Sequence, residues 1–420
     1  MKIGILGCGY VGSVTGAGFA ELGHDVLLVD IDEAKVNLLN AARVPVYEPG
    51  LEELIARNKA RLHATDNVEM LADRALIFIC VGTPSNEDGS IDLTYIRSAA
   101  EDLGGVLAQT STFQLVVVKS TVVPGTTETV VKPALEAASH KTAGSEFGLA
   151  MNPEFLREGS AVTDFFEPDR IVFGTEDERS QHILEALYRP FHCDKMSTTI
   201  RTAEMIKYVS NAFLATKISF ANEVGNLCKR SGIDVYEVFR GVGLDRRINP
   251  AFFRAGIGFG GSCFPKDVKA LIAEAQARGE DPRILRAVIQ VNEAQPLKLL
   301  ELLQRHISDL RGRRIGLLGL AFKPDTDDIR ESRAVPVVER LQAEGAVVVA
   351  YDPQAMAAFA KRFPQITYAS PADVLTSDAV LIITEWPEFE RLDYTGKLVI
   401  DGRRLAKAKQ EAAVYEGVCW

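Results

Sequence analysis

Residues 258–267, GFGGSCFPKD, set Gly258, Gly260, Gly261 and Ser262 in front of one thiol, Cys263, and place Lys266 and Asp267 directly behind it. A thiol attacks as its thiolate, and at an unperturbed pKa near 8.5 only about 3% is ionised at pH 7. A neighbouring cation or a helix N-terminus must therefore favour the anion. Glycines, lacking side chains, let the backbone lie against a substrate and present its N–H donors beside the sulfur. A cysteine read by itself is more often a small buried packing residue, but the Gly and Pro around Cys263 argue for the reactive alternative. Cys80, Cys193, Cys228 and Cys419 lack such surroundings and read as inert, as does Cys8, which lies inside the turn GCGYVG, where its backbone matters more than its thiol.

A second constellation opens the chain. KIGIL, residues 2–6, reads as a buried strand, and GCGYVG follows with Gly7, Gly9 and Gly12. VTGAGFAELGH then has the small and apolar spacing of a helix packed on a sheet, and DVLLVD ends at Asp30. GxGxxG alone is a weak signal, but strand, glycine turn, helix, strand and terminal acid together form the dinucleotide-binding fingerprint. In it Gly7 permits the tight turn, Gly9 lets a pyrophosphate approach the backbone, Gly12 brings helix and strand together, and Asp30 accepts hydrogen bonds from the adenosine ribose. Asp30 and Asp32 would repel a 2′-phosphate with only Lys35 to offset them, which selects NAD over NADP. Lys35 reads equally as an exposed helix lysine.

Weaker signals follow along the chain. Thr83 and Thr121 fall at the ends of the apolar runs ALIFICVGTP and QLVVVKSTVVPGT, where an open α/β sheet binds its ligand, although a threonine there also caps a turn. Glu154 and Glu158, four apart, share a face if their segment is helical, and most such pairs are solvated surface. Lys207 and Asn211 are spaced in the same way within EMIKYVSNAF and read alone as an exposed stripe. Arg247 and Arg254 stand in the segment leading into the thiol loop.

The elements that must hold these residues alternate between strand and helix up to about residue 195. From about 197 to 305 the pattern is helical, with Met205, Ile206, Val209, Phe213 and Ile218 recurring at three and four, an apolar surface on which an oligomer can be built. RRIGLLGLAF, VVVAYDP, AVLIIT and KLVIDGRR then form a second, smaller parallel-sheet domain without a GxGxxG. The expected fold class is α/β, two Rossmann-like parallel-sheet domains joined by a long central helical region, divided as 1–196, 197–305 and 306–420. At 420 residues, 47% hydrophobic and 25% charged, the chain can fill these cores. A net charge of −10 disfavours nucleic acid and anionic membrane as partners, so any bound phosphate needs a local site. Six scattered cysteines without a CxxC pair argue against a disulfide framework or a zinc site. An N-terminus that runs straight into a strand, in a chain with no apolar stretch near eighteen residues, points to the cytoplasm.

Taken in order, GCGYVG, VGTPSNEDGSIDL, KSTVVPGT, NPEFLREGSAVTDFFEPDRIVFG, EMIKYVSNAF, GFGGSCFPKD and AFKPDTDDIRES resemble the UDP-glucose/GDP-mannose dehydrogenase family from residue 1 to about 405. The last residues, AVYEGVCW, match no motif of it. The resemblance implies an NAD-dependent, four-electron oxidation of UDP-glucose to UDP-glucuronate, with GDP-mannose or a UDP-N-acetylhexosamine as alternative substrates. It also implies a homodimer built on the central helix. Cys263 is implied as nucleophile, with Lys207, Asn211 and Asp267 beside it and Thr121 and Glu158 around the water and the nicotinamide. Cofactor contacts are implied for Gly7, Gly9, Tyr10, Val11, Gly12, Asp30, Lys35, Thr83, Lys266 and Arg330. Nucleotide-sugar contacts are implied for Glu154, Phe155, Leu156, Phe252, Arg254, Gly260, Phe322, Lys323 and Arg403, with Arg247 reaching a neighbouring subunit's site.

The chemistry needs such a set. The first hydride transfer makes an aldehyde that must not escape; a thiolate holds it as a thiohemiacetal, and the second transfer leaves a thioester that water cleaves. Lys207 is the candidate to favour the thiolate and, with Asn211, to steady the oxyanion, while Asp267, through water, moves protons, with Lys207 as the alternative base. Two other classes stay open: a two-electron hydroxy-acid or 6-phosphogluconate type of dehydrogenase in which Cys263 is structural, and a non-enzymatic NAD-binding scaffold.

Overall fold

The computed structural model describes residues 1–420, and the chain divides into two compact units, Met1–Ser210 and Asn211–Trp420. The strands of the first unit are β1 Lys2–Leu6, β2 Asp25–Val29, β3 Leu62–Thr65, β4 Leu76–Ile79, β5 Leu115–Val118, β6 Gly148–Met151, β7 Arg170–Thr175 and β8 Asp194–Thr198, most of them apolar runs, with the exposed DKMST of β8 at the edge. They make one sheet in the order β3-β2-β1-β4-β5-β6-β7-β8. LIFI of β4 and LVVV of β5 are buried at every residue, as in a sheet covered on both faces. One face packs Ile5 and Phe78 against Phe19 of the helix Tyr10–Glu21, and the other packs Leu6 and Ile79 against Leu103 of the helix Thr94–Ala108. The sheet departs from the expected all-parallel form at one join: β7 runs antiparallel to β6, with Ala150 opposite Thr175. Between β6 and β7 the chain forms no strand or helix over 152–160 and then the helix Ala161–Phe166, whose Phe165 packs on Phe19.

The second unit contains β9 Arg314–Leu318, β10 Val347–Tyr351, β11 Thr367–Tyr368, β12 Ala379–Ile382, β13 Leu398–Asp401 and β14 Val414–Gly417, in the order β11-β10-β9-β12-β13-β14 and parallel throughout. In each sheet the strand order reverses beside the unit's first strand, between β1 and β4 and between β9 and β12, the place where open α/β sheets take ligands. The C-terminal residues that matched no motif supply the edge strand β14, and Cys419 beyond it is fully buried. Lys229 ties this tail down, its Nζ 2.6 Å from Glu416 and 3.0 Å from the Trp420 carbonyl oxygen.

Between the sheets in sequence runs a helix of 31 residues, Ile200–Arg230. No helix of the chain is long and apolar enough to cross a membrane.

Candidate active site

The glycine turn of the first unit has the geometry its sequence demands. Gly7 has φ +102°, and a Cβ there would lie 2.8 Å from the Cys80 carbonyl. A Cβ on Gly12 would lie 1.9 Å from the Gly7 oxygen, so any side chain would push the helix off the strand. Gly9 is different: nothing lies within 4 Å of where its Cβ would be, and it caps the helix Tyr10–Glu21 without a side-chain bond. Open space therefore faces the first helical turn, whose N–H groups have no partner within the helix. Asp30 is 8% exposed and accepts from the Cys8 N–H at 2.7 Å and the Asp32 N–H at 3.0 Å, with Lys35 Nζ 3.4 Å away. Lys35 is thus half-buried against Asp30, not a free surface lysine. Thr83 and Thr121 meet, the Thr83 hydroxyl donating to the Thr121 carbonyl at 2.9 Å. An open helix start beside a buried acid fits a dinucleotide, with Gly7, Gly9, Tyr10, Val11, Gly12 and Asp30 around it.

The condition under which Glu154 and Glu158 would share a helical face is not met, because residues 152–157 are irregular and the helix begins only at Ala161. The two acids go to different places. Glu154 is buried and pairs with Lys207 at 2.9 Å, side chains 8% and 4% exposed, and its other oxygen accepts the Leu156 N–H at 2.6 Å. Lys207 is therefore no exposed stripe residue, and neither is Asn211, which is 7% exposed. The Phe155 ring lies under Arg170 at 3.9 Å and near Lys207 at 5.5 Å. Glu158 acts electrostatically on Tyr10, whose hydroxyl bonds Glu48 and is pushed far above its ordinary range, first by burial and then by Glu48.

Glu48 escapes sequence reading. It is buried and accepts from the Gly159 and Ala161 N–H groups at 2.6 and 2.7 Å, so it holds the irregular segment against the glycine turn. A single acid in a loop has no period to reveal it. Lys119 also escapes notice; its amine is enclosed and donates to the Asn152 side-chain oxygen at 2.9 Å.

In the second unit Cys263 is exposed and caps the helix Phe264–Ala277, and its carbonyl accepts the Asp267 N–H at 2.8 Å. Asp267 is 1% exposed, with Asn211 Nδ2 at 2.6 Å on one oxygen and Lys266 Nζ at 2.7 Å on the other. Lys266, expected at the cofactor, is here the cation of Asp267. Gly260 and Gly261 are tight: a Cβ would meet the Glu331 oxygen at 2.3 Å or the Phe322 ring at 2.7 Å. Gly261 also donates its N–H to the Arg330 carbonyl at 2.9 Å.

The remaining expected contacts are spread over this unit. Lys323 lies 5.7 Å from the Phe322 ring centre, and the Phe252 ring tilts against Phe264 at 6.4 Å. Arg403 donates to the Ile383 carbonyl at 2.7 Å, and Asp401 holds its loop by accepting the Arg403 N–H. Arg254 is exposed. The Arg247 and Arg330 guanidiniums are exposed and pair with their own turn acids, Asp245 and Asp328.

The second sheet repeats part of the glycine turn. Gly319 has φ +97° and donates to Tyr351 as Gly7 does to Val29, and Asp352 follows β10 as Asp30 follows β2. Asp352 is wholly occupied by the chain itself, accepting from the N–H groups of Leu320, Ala321, Gln354 and Ala355 and from the Trp386 indole. It has no lone pair left for a ribose, so dinucleotide binding falls to the first unit.

The sequence matches three profiles of one family, the UDP-glucose/GDP-mannose dehydrogenase family: its NAD binding domain over residues 1–192, its central domain over 201–294 and its UDP binding domain over 316–408. It is 48% identical to a UDP-glucose 6-dehydrogenase of Haloferax volcanii, with 100% of both chains covered. It is 42% identical to a UDP-glucose 6-dehydrogenase of Bacillus subtilis, with 99% of this chain and 92% of that one covered. The solved structure of a UDP-glucose dehydrogenase from Pyrobaculum islandicum superposes with a TM-score of 0.96 at 48% identity, covering 100% of this chain and 98% of that one.

Proposed function

The chain belongs to the UDP-glucose/GDP-mannose dehydrogenase family, and we propose that it oxidises the C6 alcohol of UDP-glucose to the carboxylate of UDP-glucuronate through a covalent intermediate on Cys263. It is an NAD-dependent dehydrogenase, its first domain being the family's NAD-binding domain. The substrate assignment follows its full-length relatives. The observation that carries the covalent reading is Cys263 itself: it is the exposed thiol among cysteines otherwise buried or half-buried, and it stands at the start of a helix, where the positive end of the dipole favours a thiolate.

NAD, when bound, supplies the hydride acceptor for both oxidations. In the chain, Gly7, Gly9 and the N–H groups of Tyr10, Val11 and Gly12 hold the pyrophosphate, Asp30 takes the ribose hydroxyls, and Thr83, Thr121 and Glu158 order the nicotinamide end and its water. Glu154, Phe155, Leu156, Phe252, Arg254, Gly260, Phe322, Lys323 and Arg403 hold the nucleotide sugar. The Cys263 thiolate adds to the C6 aldehyde: a C–S bond forms and the carbonyl pair moves to oxygen, which takes a proton. Loss of the remaining C6 hydride and that proton leaves a thioester. Water adds to it, the C–S bond breaks, and its electron pair returns to Sγ. One alcohol and one water thus give one carboxylate, two hydrides and three protons. Lys207 and the Asn211 amide steady the oxyanions, a role whose loss typically costs about a hundredfold or more. Asp267, braced by Asn211 and Lys266, moves protons through water.

The functional division we propose is 1–196 for NAD, 197–305 for the thiol loop and assembly, and 306–420 for the UDP moiety. Met205, Val209, Phe213, Phe220 and Leu227 form an exposed apolar stripe along the central helix, an area that soluble chains usually cover with a partner. A second copy of the chain is the proposed partner, with Arg247 reaching the neighbour's site.

Counting NADH per sugar tests the reading. Two NADH per UDP-glucose are expected, with GDP-mannose and UDP-N-acetylglucosamine turned over at least about tenfold more slowly. Cys263→Ala should bind both ligands yet lose at least about a hundredfold in kcat. Near-wild-type turnover in that variant removes Cys263 from the mechanism, and one NADH per sugar in the wild type makes the enzyme a two-electron dehydrogenase.

A further inference from the structure

Three buried amide side chains of the second unit have no part in the reading above: Asn222, Asn292 and Gln295. They come from the central helix and from the helix Arg283–Ala294 with its C-terminal cap, and all three bond the backbone that leads to Cys263. Asn292 is 3% exposed. Its Oδ1 accepts the Phe259 N–H at 2.8 Å while its Nδ2 donates to the Phe259 carbonyl at 3.0 Å. One side chain thus satisfies both main-chain groups of one residue, as a neighbouring strand would. Upstream, Asn222 Oδ1 accepts the Gly256 N–H at 2.7 Å and Gln295 Nε2 donates to the Gly256 carbonyl, also at 2.7 Å.

The loop is built around these contacts. Gly258 has φ +91°, and a Cβ on it would lie 2.4 Å from Asn292 Oδ1. The Phe259 ring then meets the ring of Phe264, the residue after the thiol, edge to face at 5.9 Å. A stretch rich in glycine loses more conformational freedom on ordering than any other, so it needs contacts from outside to hold one shape. Neutral amides supply donor and acceptor together and add no charge near a thiol whose ionisation matters.

We propose that Asn292 is a positioning residue for Cys263: its paired hydrogen bonds to Phe259 fix the loop that aims the thiol, and Asn222 with Gln295 fixes where that loop begins. The proposal rests on the reading of Cys263 as the nucleophile.

The test uses the full-length enzyme, with kcat and KM for UDP-glucose and NAD, and the second-order rate at which iodoacetamide alkylates Cys263, followed by mass spectrometry of its peptide. Displacing a reacting group by about 1 Å can cost a hundredfold, so Asn292→Ala is expected to lose at least about tenfold in kcat with KM within about threefold. The alkylation rate of Cys263 should change by at least about threefold in the same variant. Gly258→Ala reaches the same contact from the loop side; it should show the same pattern and decides the matter if Asn292→Ala does not fold. Combined, the two changes should cost less than the product of their separate effects, because the oxygen that the new Cβ meets is then gone. Wild-type kcat and alkylation rate in folded Asn292→Ala, a loss confined to KM, or fully multiplicative effects in the pair each overturn the proposal. Alkylation reports on the loop whatever the thiol does: turnover surviving in Cys263→Ala would remove the nucleophile reading, while the rate in Asn292→Ala would still show whether the loop is held.

Discussion

Lys119 places an amine in the interior of the first unit, with the Asn152 oxygen at 2.9 Å and Glu154, Lys207 and Cys80 acting on it electrostatically. Burial brings its pKa down to about 8, against the pull of Cys80 and Glu154 in the other direction. The unfolded chain holds that proton up to roughly pH 10.4. Between the two values the unfolded state carries a proton that the folded state lacks, so this group's contribution to stability rises with pH, and below pH 8 the cost of the buried ammonium is present in full. Lys119→Met removes the effect. Urea unfolding of both proteins at pH 7, 8, 9 and 10, read from the transition of the first unit, should show the variant's stability relative to wild type falling by about 2–3 kcal/mol across the series. A difference independent of pH would mean that Lys119 is charged throughout, its burial offset by Glu154.

At the scale of one element, the helix Ile200–Arg230 buries several polar residues beside Ala203, Tyr208, Ala215 and Ile218 and leaves an apolar stripe exposed. Glu204, Lys207, Asn211 and Asn222 are buried, while Phe213 is 63% and Leu227 65% exposed. A helix of one globular chain normally keeps its apolar residues covered, and the proposed second copy would cover this stripe. Phe213→Glu takes almost nothing from the fold of a single chain, so it should fold with a Tm within a few degrees of wild type. Its sedimentation coefficient should fall from dimer to monomer at micromolar concentration, and its activity should fall with it if Arg247 serves the neighbour. A wild type that sediments as an active monomer, or an unchanged dimer in Phe213→Glu, would take this helix out of the interface.

At the scale of the whole molecule, two sheets have separate cores, one around Ile5, Phe19 and Phe78 and the other around Leu317, Val337 and Leu381. Chains of this kind depart from two-state unfolding. The family's NAD-binding domain lies in the first unit, so at about a hundred times its Kd NAD should add about 2.7 kcal/mol chiefly to that unit. Hydrogen exchange followed by mass spectrometry should show NAD slowing exchange in β1, β2 and β4, and UDP slowing it in β9, β12 and β13. Equal protection of both sheets by NAD alone would mean that the units open as one.

Much of this was legible in the chain itself, because it depends on neighbours a few residues apart. The strand and helix alternation, the Gly7 turn with its acid at Asp30, and the thiol among glycines are local patterns, and torsional freedom and side-chain period decide them. The family resemblance extended that reading to Cys263 and Asp267. Tertiary structure alone decided which polar residues face which. Lys207 meets Glu154 across 53 residues of sequence, Glu48 holds Gly159 across 111, and Asn292 grips Phe259 across 33. Periodicity is silent about such pairs, since each forms only when packing removes water from two distant segments and leaves a buried donor no other acceptor. The Glu154 and Glu158 spacing left open whether their segment is helical for the same reason: the backbone after it, at Gly159 and Ala161, is held by the distant Glu48.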